Sequence, residues 1–229
     1  MGFLKDFFAT ALKESKEVSS LSSFEELSEG QLESHLGVDR YGEFQLTDAV
    51  RPSYDLKVVP RQGYRHEIYR ENSTSENVPV VMASVSKERL FDVFMDLLDP
   101  LGNTADVVLE TSHDQSSRQH TDLLREHIDV PVLKSILWDY EELLTNDGCT
   151  GIAILNPQIP HEIQFDEHKL LMVYGNDLSK FEAIFNSYVV ECDEELQFVT
   201  EAEHVHSSNE TFAGQFHELK ARLGMDMQF

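Results

Sequence analysis

The chain has 229 residues, 41% of them hydrophobic and 10% aromatic, which is ample material for a buried core and excludes global disorder. Forty-two acidic residues against 18 basic ones give a net charge of −24. That surface repels nucleic-acid phosphates and anionic lipid headgroups, so neither nucleic acid nor membrane is an expected partner.

The excess is uneven. Residues 1–89 carry 15 acids and 11 bases, whereas residues 90–229 carry 27 and 7, so a basic protein partner would meet the later part of the chain. No stretch approaches the roughly 18 consecutive apolar residues of a membrane helix. Lys5 and Asp6 interrupt the apolar opening, so it does not read as a secretory signal. Cys149 and Cys192 are too few for a disulfide framework, and a reduced cytoplasmic protein is expected.

Residues 3–17 predict a short amphipathic helix with Phe3, Leu4, Phe7, Phe8, Ala11 and Leu12 on one stripe. After a serine-rich break, Ser23-Phe24-Glu25-Glu26 matches a capping box opening a helix towards Leu36, with Gly37 as its stop. Residues 1–37 are thus expected as a helical appendage to a single domain at 38–229. Its aromatic first helix could dock on a partner or in a second copy of the chain.

Residues 51–70 form the one basic strip, with five bases, two acids and three tyrosines. Arg61, Tyr64 and Arg65 are its candidate ligand-binding residues, since arginines interleaved with aromatics suit anions and planar rings. Pro52, Pro60 and Gly63 also read as edge strands and turns. In so acidic a chain, the strip is expected to face the acidic part of its own fold.

From residue 78 the pattern turns regular. A buried strand at 78–85 leads through Ser86 to a helix bearing Leu90, Phe91, Phe94, Leu97 and Leu98, then to a strand at 106–110. Asp129 and Pro131 open a helix through Leu144, stopped by Asn146-Asp147-Gly148. Strands follow at 151–155 and 169–174, with His161 and His168 flanking a hairpin turn at Asp166-Glu167. Asp177 caps a helix bearing Phe181, Ile184 and Phe185. A short strand is expected at 196–199, and Asn209 caps a last helix with Phe212, Phe216 and Leu219 inward.

Segments 80–113 and 171–204 both read strand, capped helix, strand, and both end in Glu-x-x-His. They predict pseudo-duplicated β-α-β units in an α/β (α+β) fold, a layered mixed sheet covered by helices. Strand ends are where such sheets place ligands, and Glu110, His113, Asp114, Glu201, His204 and His206 fall at or just after them, with Glu110, His113, Glu201 and His204 as the candidate metal ligands. A divalent metal is possible there, although no motif fixes two ligands on one element. The seven-residue spacing of His113, His120 and His127 is not expected to gather them on one surface. No Gly-x-Ser-x-Gly, Walker loop or dinucleotide fingerprint is present. The sequence alone therefore favours a non-enzymatic interaction or regulatory protein that binds a basic partner or itself. The alternative is a metal-dependent hydrolase or metal-binding domain.

Overall fold

The computed structural model describes residues 22–25, 27–70, 77–113 and 121–225; the helix expected at 3–17 lies outside them, as do Asp114 and His120. In chain order the helices are α1 (Glu29–Leu36), α2 (Lys87–Leu97), α3 (Val130–Trp138), α4 (Glu141–Asn146), α5 (Ser179–Ser187) and α6 (Glu210–Arg222). The strands are β1 (Arg40–Tyr41), β2 (Phe44–Gln45), β3 (Val50–Pro52), β4 (Gly63–Arg70), β5 (Asn77–Ser84), β6 (Thr104–Thr111), β7 (Thr121–Asp129), β8 (Thr150–Asn156), β9 (His161–Phe165), β10 (Leu170–Tyr174) and β11 (His204–His206).

Seven strands form one sheet in the order β4-β5-β10-β9-β8-β6-β7. Each of its ladders is antiparallel, so the fold is α+β on an antiparallel sheet rather than one of mixed strand direction. The expected duplication is not confirmed. β6, which ends the first unit, lies in this sheet, whereas β11, which ends the second, pairs with β3 in a separate two-stranded ladder.

Alternation along each strand decides what the sheet buries. Val81 and Ala83 of β5, Leu171 and Val173 of β10, Ile163 and Phe165 of β9, and Ile152 and Ile154 of β8 point to one face. There they meet Leu90 and Phe94 of α2, Leu133 of α3, Leu143 of α4, Phe181 of α5 and Phe216 of α6 in one continuous core. Five helices therefore share a single face of the sheet.

Local signals explain most boundaries. Asn209 caps α6, its side chain accepting from the Phe212 N–H. Pro131 sits in the first turn of α3. The continuous helix expected from Asp129 to Leu144 is broken, because Tyr140 leaves helical geometry at φ −123° before α4 begins. The helix expected from Ser23 starts later. Ser28 is its N-cap, and the side chain of Gln31 reaches back to accept from the Ser28 N–H at 3.1 Å.

The expected strand at 196–199 is replaced by a 3-10 turn at Val199–Glu201. Leu196 and Phe198 there pack on Leu170 and Met82, covering part of the sheet's second face. β7 carried no apolar pattern that announced it, since most of its residues are exposed on an edge strand. Its pairing with β6 is interrupted by a bulge opposite Asp106, where His127 adopts φ 57° and donates its N–H to Asp106 Oδ1 at 2.8 Å.

Phe165 shows how the core depends on the sheet. It is 1% exposed and its ring centroid lies 4.9 Å from that of Phe94. Phe165→Ala should cost about 3–5 kcal/mol through lost burial and the cavity left behind. Urea denaturation should show a lower midpoint with an unchanged slope.

A candidate three-histidine metal centre

The polar residues gather where four pieces of chain meet: the end of β6, the turn before β8, the β9–β10 turn and β11. The β9–β10 turn is closed by Asp166. Its Oδ1 accepts from the Leu170 N–H at 2.8 Å and its backbone carbonyl from the Lys169 N–H at 3.1 Å. Lys169 completes the turn at φ 66°, outside the usual range for a side-chain-bearing residue. This geometry holds His168 against β11.

On β11, His204 and His206 are two residues apart and so project from the same side of the strand. Ring centroids are 4.9 Å apart for His168 and His204, 4.6 Å for His168 and His206, and 5.2 Å for His204 and His206. One ring nitrogen from each lies within 4.8 Å of the others. A metal bound by imidazole nitrogens at about 2.0–2.1 Å in a tetrahedron places its ligand rings at roughly this spacing.

Second contacts fix the protonation of each ring. His204 Nδ1 lies 2.8 Å from the Ala202 carbonyl oxygen, and His206 Nδ1 lies 2.7 Å from that of Gly148. A carbonyl only accepts, so both Nδ1 atoms carry the proton and both Nε2 atoms carry the lone pair. His168 Nδ1 lies 2.8 Å from Asp166 Oδ2, which imposes the same tautomer on a neutral ring. An N–H committed to an oxygen, with the other nitrogen left as donor to metal, is how metal-binding histidines are oriented.

The electrostatics are asymmetric. Burial, and then the neighbouring His168, hold His204 and His206 below the ordinary imidazole range. Burial acts in the same direction on His168, but the charge and hydrogen bond of Asp166 outweigh it and raise that group. Lys169 is buried at 5% exposure, donates to the Thr150 carbonyl at 2.8 Å, and is pushed down to about 8 by desolvation.

The residues expected from sequence are divided. His204 belongs to the three-histidine group, and His113 lies in a neighbouring group with Asp147 and Cys149. Glu201 accepts from the Phe198 N–H and pairs with Arg65 at 2.8 Å. Glu110 projects from β6 to the second face of the sheet, its Oε2 beside Gly151. His113 and His127 stand towards opposite ends of the β6–β7 hairpin.

In the basic strip, Arg61 pairs with Asp193 at 2.5 Å, while Arg65 pairs with Glu67 at 2.8 Å and stacks over Phe198 at 4.8 Å. Tyr64 is 4% exposed and packs on Phe185. The residue missed was His168, and His206 stood among the strand-end candidates without being taken as a ligand. His204-Val205-His206 carries a legible signal, a His-x-His pair on a strand, whereas nothing near residue 168 points to residue 204.

No protein-family model matches the chain, and the searches of curated proteins and of solved structures likewise return no match.

Two neighbours of the centre generate tests. A Cβ on Gly148 would lie 2.4 Å from the Ala49 carbonyl oxygen and 2.9 Å from that of Ser207. Gly148 therefore lets the turn before β8 dock on β3 and β11 and brings its carbonyl to His206. Gly148→Ala should destabilise by roughly 1–3 kcal/mol, read as a lower denaturation midpoint.

Glu110 is 5% exposed, and burial followed by the charges of Asp122 and Asp166 pushes it up to about 9. Its folded-state value lies above the ordinary 4.5, so the folded state holds the extra proton and stability falls as pH rises from about 4.5 to about 9. Glu110→Gln, which cannot ionise, should flatten thermal stability across that window. The gain at pH 7 is on the order of 3 kcal/mol.

Proposed function

We propose that this protein is a metal-dependent protein whose centre binds a divalent ion of the zinc class through the Nε2 atoms of His168, His204 and His206. The observation that carries this reading is the convergence of three imidazoles whose Nδ1 atoms are all engaged by oxygen acceptors. Imidazole donors favour zinc and its neighbours over magnesium or calcium, which take oxygen ligands.

Three protein ligands, rather than four, leave one position for water or substrate, as in catalytic rather than structural zinc sites. His206 is partly open to solvent, with its Nδ1 turned inward to the Gly148 carbonyl, which supports access from solvent to that position. A zinc-class ion there supplies Lewis acidity and a water acidic enough to be a nucleophile near neutral pH. The reaction class that suits this is hydrolysis.

The protein's own residues set up the centre. Asp166 orients His168, while the Ala202 and Gly148 carbonyls orient His204 and His206. The low proton affinity of His204 and His206 keeps both rings neutral at pH 7, the form a metal needs.

The test uses untagged protein, stripped with chelator and then titrated with zinc. Wild type should gain thermal stability, by about 2.7 kcal/mol when free zinc is 100 times its Kd. His204→Ala and His206→Ala should each bind one zinc fewer per chain than wild type while keeping their metal-free melting point within a few degrees. Metal-stripped wild type that melts identically with and without zinc would sink the proposal.

A further inference from the structure

The geometry points to a second cation site beside the first, in which His113, Asp147 and Cys149 bind a divalent ion of the zinc and cobalt class. The two sites share no side chain, so the inference does not rest on the three-histidine reading. One donor atom from each of the three residues lies within 4.8 Å of the others.

The contact between His113 and Asp147 is the informative one. His113 Nε2 and Asp147 Oδ2 are 3.0 Å apart, with side chains 16% and 0% exposed. That nitrogen and the carboxylate stand at ion-pair distance, although the nitrogen has no well-aligned hydrogen bond. Two donor atoms held this close can serve as neighbouring ligands of one ion once the ring gives up any proton between them. Ligands at about 2.0–2.2 Å from a tetrahedral metal lie roughly 3.3–3.6 Å from each other, and 3.0 Å is within a small adjustment of that.

The surroundings fix these donors. His113 Nδ1 lies 2.6 Å from Thr111 Oγ1, so the ring is held by its far nitrogen. Asp147 accepts from the Thr150 hydroxyl at 2.5 Å and from the Cys149 N–H at 3.4 Å, which orients the carboxylate without exhausting its lone pairs. Cys149 is only partly exposed and uninvolved in any disulfide. Burial keeps its thiol protonated in the absence of metal. Binding then exchanges one proton for one bond: the thiol S–H breaks, the sulfur lone pair joins the cation, and the proton leaves to solvent.

Thiolate, imidazole and carboxylate together exclude magnesium and calcium, which prefer all-oxygen sites. The other thiol provides the contrast. Cys192 also stands near a histidine and a glutamate. There, however, His66 has both nitrogens engaged, Nδ1 by Glu194 at 2.6 Å and Nε2 by Glu182 at 3.1 Å. Its neighbourhood is an exposed ion-pair cluster, whereas Asp147 is buried and His113 and Cys149 are partly buried.

Cobalt(II) distinguishes the sites, because only a thiolate ligand gives a sulfur-to-cobalt charge-transfer absorption in the near ultraviolet. Untagged full-length protein, stripped of metal and titrated with cobalt(II), should show that absorption, with an end-point amplitude of one thiolate-bound cobalt per chain. It should persist in His204→Ala and in Cys192→Ser, vanish in Cys149→Ser, and fall at least tenfold in apparent affinity in His113→Ala. Circular dichroism of Cys149→Ser should match wild type, since serine is nearly isosteric. Absence of the band in folded wild type, or its loss in Cys192→Ser but not in Cys149→Ser, overturns the proposal. Loss of one bound zinc in His204→Ala with the cobalt band intact concerns the first site alone.

Discussion

A sheet whose strands are buried on both sides needs cover twice, and among the described residues the helices supply it only once. Five helices press on the face presented by Val81, Leu171, Ile163, Ile152 and Leu109. The other face is left to short, irregular pieces of chain, chiefly the segment bearing Leu196 and Phe198. That face carries Glu162, Gln164 and Glu110, each at most 9% exposed. Burying acids costs free energy unless they keep their protons. Glu110 and Glu162 accordingly sit at about 9 and about 7, burial being the first cause in each. The asymmetry between a helical apolar face and a polar buried face is what makes one side of this protein chemically unusual.

The site follows from how the β3–β11 ladder attaches to the main sheet. Antiparallel pairing sets His204 opposite Pro52 and His206 opposite Val50. The backbone of Gly148 then closes against Ala49 and Ser207, donating its own N–H to the Ser207 carbonyl at 2.8 Å while the Ser207 N–H donates to Ala49 at 2.8 Å. Three chain segments are thereby locked together by main-chain contacts, with the β9–β10 turn beside them. Loops carry function when a rigid scaffold fixes them. Here the scaffold brings a turn histidine to a strand pair of histidines. It also sets Asp147 and Cys149 on either side of the glycine whose carbonyl holds His206.

The acidic composition acquires a local meaning in this frame. Many acids are consumed by pairing within the fold: Asp193 with Arg61, Glu67 and Glu201 with Arg65, and Asp48 with Lys87 and the buried Arg51. Surface pairs of this kind contribute little to stability and chiefly set geometry. Arg51 is the exception in burial, donating to the carbonyls of Leu36, Thr47 and Val50 and so fastening α1 to β3. At the centre itself, Asp166 orients an imidazole and Asp147 faces another, a use of carboxylates distinct from bulk solubility.

Helix positions were legible because their cause is local: Leu90, Phe91, Phe94 and Leu97 recur at helical spacing, Asn209 caps, and Pro131 begins. The apolar strands at β5, β6, β8 and β10 were legible because runs such as Ile152-Ala153-Ile154 admit little else. β7 was not, since an exposed edge strand need carry no alternating pattern. The break at Tyr140 and the late start at Ser28 were also hidden, as each depends on what the helix end packs against. Of the site, the sequence by itself determined the chemistry of the donors and the His204-x-His206 spacing; that this pair lies on a strand, with both imidazoles on one side, came from its pairing with β3. The sequence could not determine the third histidine or the separation of His113 from His204. Those distances are set by an antiparallel hairpin turn and by a glycine approach, contacts between residues dozens of positions apart that only the folded chain brings together.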